Sequence, residues 1–329
     1  MPRQATNKFL TKAKKSKSDE FYTQLPDIER ELKHYKKHFR GKTVYCNCDD
    51  PRVSNFFHYF SYNFEKLGLK KLIATCYKNQ EIDLFSRHNS ERAICLEYEG
   101  DKNGNNVPDL NEIGIRELKG DGDFRSDESI ALLKQSDIVV TNPPFSLFRE
   151  HVAQLQEYKK KFLIVGTWNA ITYKEIFKLI MEDKLWIGIN SNRQFSGFIV
   201  PEHYELHGTE ARIDEYGNRI VSSNNTCWFT NMDIKKRHED LILYKKYNAD
   251  EYPKYESCDA IEVSKVNDIP IDYEGAMGVP ITFMNKYNPK QFEILGLDDH
   301  TLVYPEWRGR GPDLNGKAIY RRIIIKHRR

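Results

Sequence analysis

The sequence predicts a doubly wound α/β domain with a mostly parallel sheet, followed by a smaller irregular C-terminal unit. Three observations indicate this class. Apolar, strand-like runs alternate with amphipathic helices from Val44 to about Thr230. A strand–helix–strand run from Thr43 to Tyr77 has the length of a βαβ unit, whose right-handed crossover makes the two strands parallel. From about Asp233 the alternation stops, and tyrosines and turn signals become frequent.

Each element of this fold is predicted from a local pattern. A helix begins at Asp27, carries apolar residues at helical spacing and ends at Gly41, a residue type suited to a helix C-terminus. An aromatic-rich helix is expected to begin with Asp50 as its cap and Pro51 in its first turn, and to end near Gly68. Strands are expected at residues 43–48, 71–77, 120–124, 137–142, 161–166, 185–189 and 227–230, and further helices at 128–134, 146–155 and 172–183.

The domain organisation follows from these elements and from the 329-residue length, which allows roughly two domains. A basic N-terminal tail covers residues 1–17. The α/β domain covers 18–232, with an insertion at about 78–119 that has room for a hairpin and a loop region at about 191–225. The irregular unit covers 233–329.

Charge is distributed unevenly along a chain whose formal net charge is only +3. The N-terminal tail has Lys14 and Lys15 among its cations and no acidic residue before Asp19, and the C-terminus is basic around Arg321 and Arg322. Basic ends fit contacts with nucleic-acid phosphates, whereas a tail that serves only solubility is the alternative for the N-terminal run. Further candidates for contacts with a nucleic acid are Arg193, Arg212 and Asn225.

Membrane and metalloprotein classes are not expected. The sequence contains no apolar stretch of membrane-spanning length and no signal-peptide pattern, so we expect a cytoplasmic protein. Most of the six cysteines lie in apolar runs and are expected to be buried and reduced. Cys46 and Cys48 form one Cys-x-Cys pair without a second ligand pair, so no metal site is expected.

The most informative stretch is 137–145, an apolar, β-branched run that ends in Asn142, Pro143, Pro144 and Phe145. Such a run predicts a strand that is buried on both faces. The two prolines stiffen the following loop and remove two N–H donors from it. The stretch therefore places an amide oxygen, backbone carbonyls and an aromatic ring together at the carboxyl end of a strand, where open α/β sheets bind ligands.

These groups suit a planar ligand that carries an amino group. Acceptors from the Asn142 side chain and the Pro143 carbonyl would stabilise the positive charge that grows on an exocyclic amine as it attacks an electrophile. Phe145 would stack on the ring. A buried strand that ends in a proline-rich turn is the alternative for the tripeptide alone.

An electrophile must be bound beside the amine, and the ends of neighbouring strands are the candidates for that pocket. Asn47, Asp49 and Asp50 follow the first strand, and the helix N-terminus at Pro51 offers N–H groups to a carboxylate. Asp50 as a simple helix cap is the alternative for that residue. Asp123 and Phe124 could pair with and stack on an adenine, and an ordinary Gly-Asp turn is the alternative for them.

Taken together, these segments resemble the EcoRI-type adenine-N6 DNA methyltransferases over nearly the whole chain. The Asn-Pro-Pro-Phe tetrapeptide resembles the catalytic loop of N6-adenine and related amino methyltransferases. The segments that carry the resemblance are residues 14–23, 45–55, 120–125, 142–145, 197–204 and 278–283. In the first loop the usual Gly-x-Gly is replaced by Asn47-Cys48-Asp49, and no acidic residue stands directly after the strand that ends at Tyr77 to bind the ribose hydroxyls.

The resemblance implies a fold, a cofactor and a substrate. It implies the S-adenosylmethionine-dependent methyltransferase type of sheet, with transfer to the N6 amine of a flipped-out adenine in duplex DNA and a GAATTC-like palindrome as the candidate site. It also implies a monomer, a DNA-recognition role for residues 233–329, and a cognate restriction endonuclease that acts on the same site without direct contact. For the cofactor it implies Phe21, Tyr22 and Thr23 near the methionine end, Asn47 and Asp49 to Pro51 in the first binding loop, and Asp123 with Phe124 at the adenine.

Two other functions remain open from the sequence. A protein glutamine-amide methyltransferase uses a similar Asn-Pro-Pro loop, although the basic ends and Phe145 in place of Tyr count against it. A catalytically silent DNA-binding relative would keep the fold and bind the donor without transferring a methyl group.

Overall fold

A computed structural model describes most of the chain. The described residues are 21–48, 54–76, 93–105, 107–109, 111–191, 194–200, 206, 211–221, 224–256, 258–297 and 313–328. By internal contacts the chain divides into two compact units, one formed by Met1–Ala170 with Asn190–Met232 and the other by Ile171–Ile189 with Asp233–Arg329.

The largest element is an eight-stranded mixed sheet, which confirms the α/β class. Its strands are β2 (Thr43–Cys46), β3 (Lys71–Thr75), β4 (Ile94–Tyr98), β5 (Gly114–Glu117), β6 (Ile138–Thr141), β7 (Lys161–Thr167), β8 (Trp186–Ser191) and β12 (Thr226–Thr230). Their order is β5-β4-β3-β2-β6-β7-β12-β8. The central strands β3, β2, β6 and β7 are parallel, whereas β4, β5 and β12 pair antiparallel with their neighbours.

The parallel core forms because its strands are apolar on both faces. All residues of β2 and β6 are buried, as is nearly all of β7. The predicted strand at 120–124 is wrong. Those residues form a turn after β5, where Gly122 has φ +77°, a left-handed conformation that strands do not use.

Helices of the first unit flank the strands in the chain. They are α1 (Leu25–Leu32), α2 (Lys36–Phe39), α3 (Asn55–Tyr62), α4 (Phe64–Leu67), α5 (Asp127–Gln135) and α6 (Phe148–Glu157). The helix predicted from Asp27 to Gly41 is in fact two helices. The aromatic helix begins at Asn55 with Ser54 as its cap, whose hydroxyl accepts from Phe56 N at 3.2 Å, so Asp50 is not the cap of this helix. The helix expected from residue 146 begins at Phe148 instead, because Ser146 lies within a 3-10 turn at Phe145–Leu147.

A smaller four-stranded sheet belongs to the same unit. It has the order β1-β9-β11-β10 and consists of β1 (Tyr22–Thr23), β9 (Phe198–Val200), β10 (Arg212–Ile213) and β11 (Arg219–Val221). The pairing of β1 with β9 is antiparallel and sets Thr23 opposite Phe198. This sheet ties the predicted donor segment at residues 21–23 to the loop region that follows β8.

The second unit has its own sheet and one described α-helix, α7 (Lys174–Met181). The sheet order is β13-β14-β18-β15, from β13 (Ala260–Glu262), β14 (Ala276–Pro280), β15 (Phe292–Leu297) and β18 (Arg322–His327). Ile323, Ile324 and Ile325 are fully buried at its centre, which explains the apolar residues among the C-terminal arginines. A two-stranded ribbon of β16 (Asp313–Leu314) and β17 (Lys317–Ala318) precedes β18. No helix in the described part of the chain is long and apolar enough to cross a membrane.

Candidate active site

The candidate site lies at the carboxyl ends of the parallel strands. Because β2, β3, β6 and β7 run in the same direction, their carboxyl ends share one edge of the sheet. Asn47 follows β2, Cys76 follows β3 and Asn142 follows β6 at this edge. This is the edge at which open α/β sheets bind ligands.

Asn142 is held in one orientation by the chain segment that precedes α1. Its side chain is 6% exposed, and its Nδ2 donates to the Phe21 carbonyl oxygen at 2.5 Å. A carbonyl oxygen can only accept, so the amide group of Asn142 must turn its NH2 toward Phe21. Its Oδ1 is then buried and has no hydrogen-bond partner among the described residues. A buried acceptor without a donor is costly, and it indicates a place for a ligand N–H.

The carbonyl groups of the two prolines after Asn142 differ in their hydrogen bonding. Pro144 O accepts from Leu147 N at 2.9 Å and so closes the 3-10 turn at Phe145–Leu147. Pro143 is buried, and no described residue donates a hydrogen bond to its carbonyl. The loop therefore offers two adjacent acceptors, one from a side chain and one from the backbone.

Aromatic rings surround the same loop. Phe145 is partly exposed and stacks on Phe21 with ring centroids 5.9 Å apart and an interplanar angle of 17°. Phe198 of β9 meets Phe145 edge-on with ring centroids 6.1 Å apart, and it lies tilted against Phe21 at 5.8 Å. Pairs at these separations stabilise each other by roughly 0.5–1.5 kcal/mol beyond area burial. The three rings form an apolar wall next to the two acceptors.

The segment at residues 21–24 is fixed from several sides, and its side chains were predicted to lie at the donor. Asn55 Nδ2 at the start of α3 donates to Thr23 O at 2.8 Å, and Gln24 Nε2 donates to Gly197 O at 2.9 Å. Tyr22 is partly buried and pairs with β9. Thr23 is 1% exposed, and its Oγ1 has no partner in the described part of the chain.

Asn47 is placed at the end of β2 by a buried histidine of α6. His151 is fully buried, and its Nε2 lies 3.2 Å from Asn47 Oδ1, which can only accept. The ring proton therefore sits on Nε2, and Cys48 Sγ also donates to Asn47 Oδ1 at 3.4 Å. Burial lowers the pKa of His151 to about 3, so the ring is neutral at physiological pH. With Oδ1 occupied, the amide NH2 of Asn47 is the group left for a ligand.

The loop at residues 120–125 closes over the end of β3. A Cβ added to Gly122 would lie 2.0 Å from Cys76 O, so only glycine permits this approach. Phe124 is 5% exposed and meets His151 edge-on at 5.0 Å. Arg125 pairs with both carboxylate oxygens of Asp123, at 2.9 Å and 2.7 Å. Burial alone would raise the pKa of Asp123, but the hydrogen bonds and charge of Arg125 outweigh it, and the pKa is lowered.

The structure thus brings three predicted groups of site residues to one edge of the sheet: the Asn142 loop, the segment at Phe21 to Thr23, and Asn47. The loop that holds Asp123 and Phe124 reaches the same edge through Gly122 and α6. Six residues with predicted roles lie outside the described part of the chain: Asp49, Asp50, Pro51, Lys14, Lys15 and Arg193.

The remaining predicted DNA contacts differ in their surroundings. Arg212 is exposed and donates from Nη2 to Ser196 O at 2.8 Å, and Asn225 is exposed with its Nδ2 on Thr167 Oγ1 at 2.8 Å. Arg321 is exposed in the second unit. Arg322 is only 12% exposed in its side chain and forms a salt bridge of 2.7 Å with buried Glu262. Its guanidinium is thus already engaged in a structural pair.

Comparison with known proteins decides the family. The sequence model of the family described as adenine-specific methyltransferase EcoRI matches residues 9–328. The chain belongs to this family. Its activity is therefore adenine-specific methylation of DNA, as predicted, and the glutamine-amide alternative is set aside because the family is specific for adenine.

Three relatives in this family align with the chain over nearly the whole length of both proteins. Type II methyltransferase M.EcoRI of Escherichia coli is 57% identical over 335 residues, which cover 100% of this chain and 99% of the relative. M.MgeORF184P of Mycoplasma genitalium is 39% identical, with 96% and 98% covered. M.MpnI of Mycoplasma pneumoniae is 38% identical, with 97% and 98% covered. No solved structure matches the chain.

Sequence reasoning missed three residues of this EcoRI-family site: His151, Asn55 and Arg125. His151 lies on the inward face of α6 and reads as a core residue, because nothing in the sequence shows that it meets Asn47. Arg125 follows Asp123 by two residues, a spacing at which one loop can fold the cation back onto the carboxylate. That spacing was the available signal.

Proposed function

We propose that S-adenosylmethionine is the methyl donor and that the acceptor is the N6 amine of an adenine flipped out of duplex DNA within a GAATTC-like palindrome. The same proposal includes a doubly wound sheet that binds the donor and a protein that acts as a monomer in the cytoplasm. It also includes a cognate endonuclease that acts on the same site without direct contact. The 57% identity to M.EcoRI supports it.

One observation carries the assignment of the acceptor site. Asn142 Oδ1 is buried without a partner among the described residues, and its amide is oriented by Phe21. Together with Pro143 O, it offers acceptors to the two hydrogens of an adenine amine, where positive charge develops during attack on a methyl group. Phe145 holds the purine ring by stacking. An adenine within a stacked duplex cannot reach these groups, so the base must be extruded.

The residues at the neighbouring strand ends fit the donor. The ionised Asp123 carboxylate and the ring of Phe124 suit the adenine of the donor, and the Asn47 amide NH2 suits a carboxylate. Thr23 Oγ1 is an orphaned buried hydroxyl in the segment assigned to the methionine end. When bound, the donor supplies an electrophilic methyl group on sulfur. The protein's own contribution is to position the amine for in-line attack at roughly 3–3.5 Å.

DNA contacts are proposed for Arg212, Asn225 and Arg321, which are exposed, and for Lys14, Lys15 and Arg193, which the structure does not describe. Arg322 is the weakest candidate for a DNA contact on the C-terminal strand, since Glu262 holds its guanidinium. Asp49, Asp50 and Pro51 keep their proposed place in the first donor loop, and Tyr22 keeps its place near the methionine end.

Substitution of Asn142 tests the acceptor site. Asn142→Ala should lower kcat by about 100–1,000-fold, the usual effect of removing one polar group that stabilises developing charge. Asn142→Asp keeps an acceptor oxygen but loses the NH2 that donates to Phe21 O, so it should retain only part of the activity, although more than the alanine variant. Transfer of labelled methyl to a GAATTC duplex and donor binding by calorimetry are measured for both. Unchanged turnover in Asn142→Ala would refute the assignment.

The recognition sequence is tested separately by mapping N6-methyladenine in genomic DNA from cells that express the protein. We expect modification of one adenine per strand of a GAATTC-like site. Donor binding with no methylated position anywhere would instead support the catalytically silent relative.

A further inference from the structure

The connection between β4 and β5 carries a sequence pattern with the ligand spacing of a calcium-binding loop. Over twelve residues from Asp101 to Glu112 it reads Asp-Lys-Asn-Gly-Asn-Asn-Val-Pro-Asp-Leu-Asn-Glu. EF-hand loops place oxygen ligands at positions 1, 3, 5, 7, 9 and 12, with a backbone carbonyl at 7 and a Glu at 12. The corresponding residues here are Asp101, Asn103, Asn105, Val107, Asp109 and Glu112.

One position departs from the EF-hand pattern. Position 6, normally glycine, is Asn106, a residue type that tolerates left-handed backbone better than most. The pattern fixes the kind of oxygen ligand at each position as well as its spacing. Side-chain amides, carboxylates and one backbone carbonyl occupy the ligand positions, and the residues between them need not contact the ion. A run of acidic residues alone would not show this order.

The structure supplies an independent observation at Glu112, the residue in the bidentate position. Its side chain belongs to a surface connection and yet is only 7% exposed. No Lys, Arg or His of the described residues forms a salt bridge with Glu112 or with Asp109. Buried carboxylates are normally paired with a cation or coordinate a metal ion, because desolvation penalises the bare charge.

The oxygens of the pattern also converge. Glu112 Oε1 reaches back across the loop to the amides of Lys102, at 2.7 Å, and Asn103, at 3.1 Å. Asp109 Oδ2 accepts from Asn103 Nδ2 at 2.7 Å, which joins positions 3 and 9. A carboxylate has about four lone-pair sites, so these bonds leave capacity for a cation.

Charge favours a divalent ion in this loop. Residues 101–112 contain three acidic residues and one lysine, a formal charge of −2. In the described part of the chain, no three carboxylate, His or Cys side chains are grouped to hold a metal on their own. The amide and backbone oxygens are therefore essential to the ligand set, as they are in EF-hand loops, where position 9 often binds through water.

We propose that residues 101–112 bind one Ca²⁺ ion and that the ion fixes the connection between β4 and β5. The hard, all-oxygen set of up to seven donors suits Ca²⁺ better than Mg²⁺, which demands a small octahedral shell and keeps its waters. This site is separate from the methyl-transfer residues and does not depend on their assignment.

Calcium titration of the full-length, chelator-treated protein tests the proposal. Calorimetry should show one Ca²⁺ per chain, and terbium luminescence sensitised by Tyr98 should saturate at the same stoichiometry. Glu112→Gln should weaken Ca²⁺ binding at least tenfold, and Asn105→Ala, at an exposed position, should weaken it without affecting the fold. The matched control is Asp214→Asn, because Asp214 also accepts amide hydrogen bonds in an exposed turn but lacks the ligand spacing.

Hydrogen exchange locates the ion. Ca²⁺ should slow amide exchange in residues 94–117 of the wild-type protein and not in Asn105→Ala. The absence of binding at millimolar Ca²⁺, or binding that survives both Glu112→Gln and Asn105→Ala, would overturn the proposal. If Glu112→Gln fails to fold, the Asn105→Ala result decides.

Discussion

Acidification should destabilise the protein through His151 by an amount that the structure defines. Burial holds its pKa at about 3 in the folded chain, whereas the ordinary value is 6.5. Between these values the unfolded chain binds a proton that the folded chain rejects, so stability is complete above pH 6.5 and falls as the pH decreases toward 3. At pH 5 the gap of 1.5 pH units from the unfolded value corresponds to about 2 kcal/mol.

A variant isolates this contribution from the other titrating groups. His151→Gln replaces the imidazole with an amide that does not titrate and can still donate to Asn47 Oδ1. Urea unfolding, followed by tryptophan fluorescence, is measured at pH 7 and pH 5 for both proteins. The wild type should lose about 2 kcal/mol more than the variant between the two pH values. Equal losses would refute a buried, neutral His151.

Three further substitutions test the site and the second unit. Phe145→Ala should weaken retention of the extruded base by roughly 1–3 kcal/mol, because stacking is lost, and 2-aminopurine fluorescence at the target position reports it. Gly122→Ala should reduce donor affinity about tenfold or more in calorimetry, because its Cβ would strike a backbone carbonyl at the end of β3, whereas Gly120→Ala, with open space around the added Cβ, should not. Arg322→Ala should cost about 3–5 kcal/mol in unfolding experiments, since it leaves the buried Glu262 carboxylate without the cation that pairs with it; a pure loss of DNA affinity at unchanged stability would contradict this.

The strands were predictable because their apolar runs are strong and short. β2, β3, β6, β7 and β12 all lie where the sequence placed a strand. The prediction failed at residues 120–124, where two glycines and two aspartates form a turn and only Gly122 and Phe124 are buried. It also missed the helix cap at Ser54, because Asp50 and Pro51 present a similar start signal four residues earlier.

The chemistry of the Asn142 loop was predictable, but its orientation was not. Residue types alone place an amide, two prolines and an aromatic ring at a strand end. The choice of which amide atom faces the ligand depends on the carbonyl of Phe21, 121 positions away. Long-range contacts of this kind leave no periodic signal, and the pairing of His151 with Asn47 escaped for the same reason.

The contact between Phe21 and Asn142 links the two halves of the proposed reaction. The carbonyl of Phe21 orients the amide that would accept from adenine, and the ring of Phe21 stacks on Phe145. The next two residues, Tyr22 and Thr23, continue into the segment proposed for the methionine end of the donor, and Asn55 anchors that segment to α3. Movement of this segment on donor binding would therefore shift the Asn142 acceptor and its aromatic support together. Because the link runs through a backbone carbonyl, it does not depend on which side chain stands at position 21, whereas the stacking on Phe145 does.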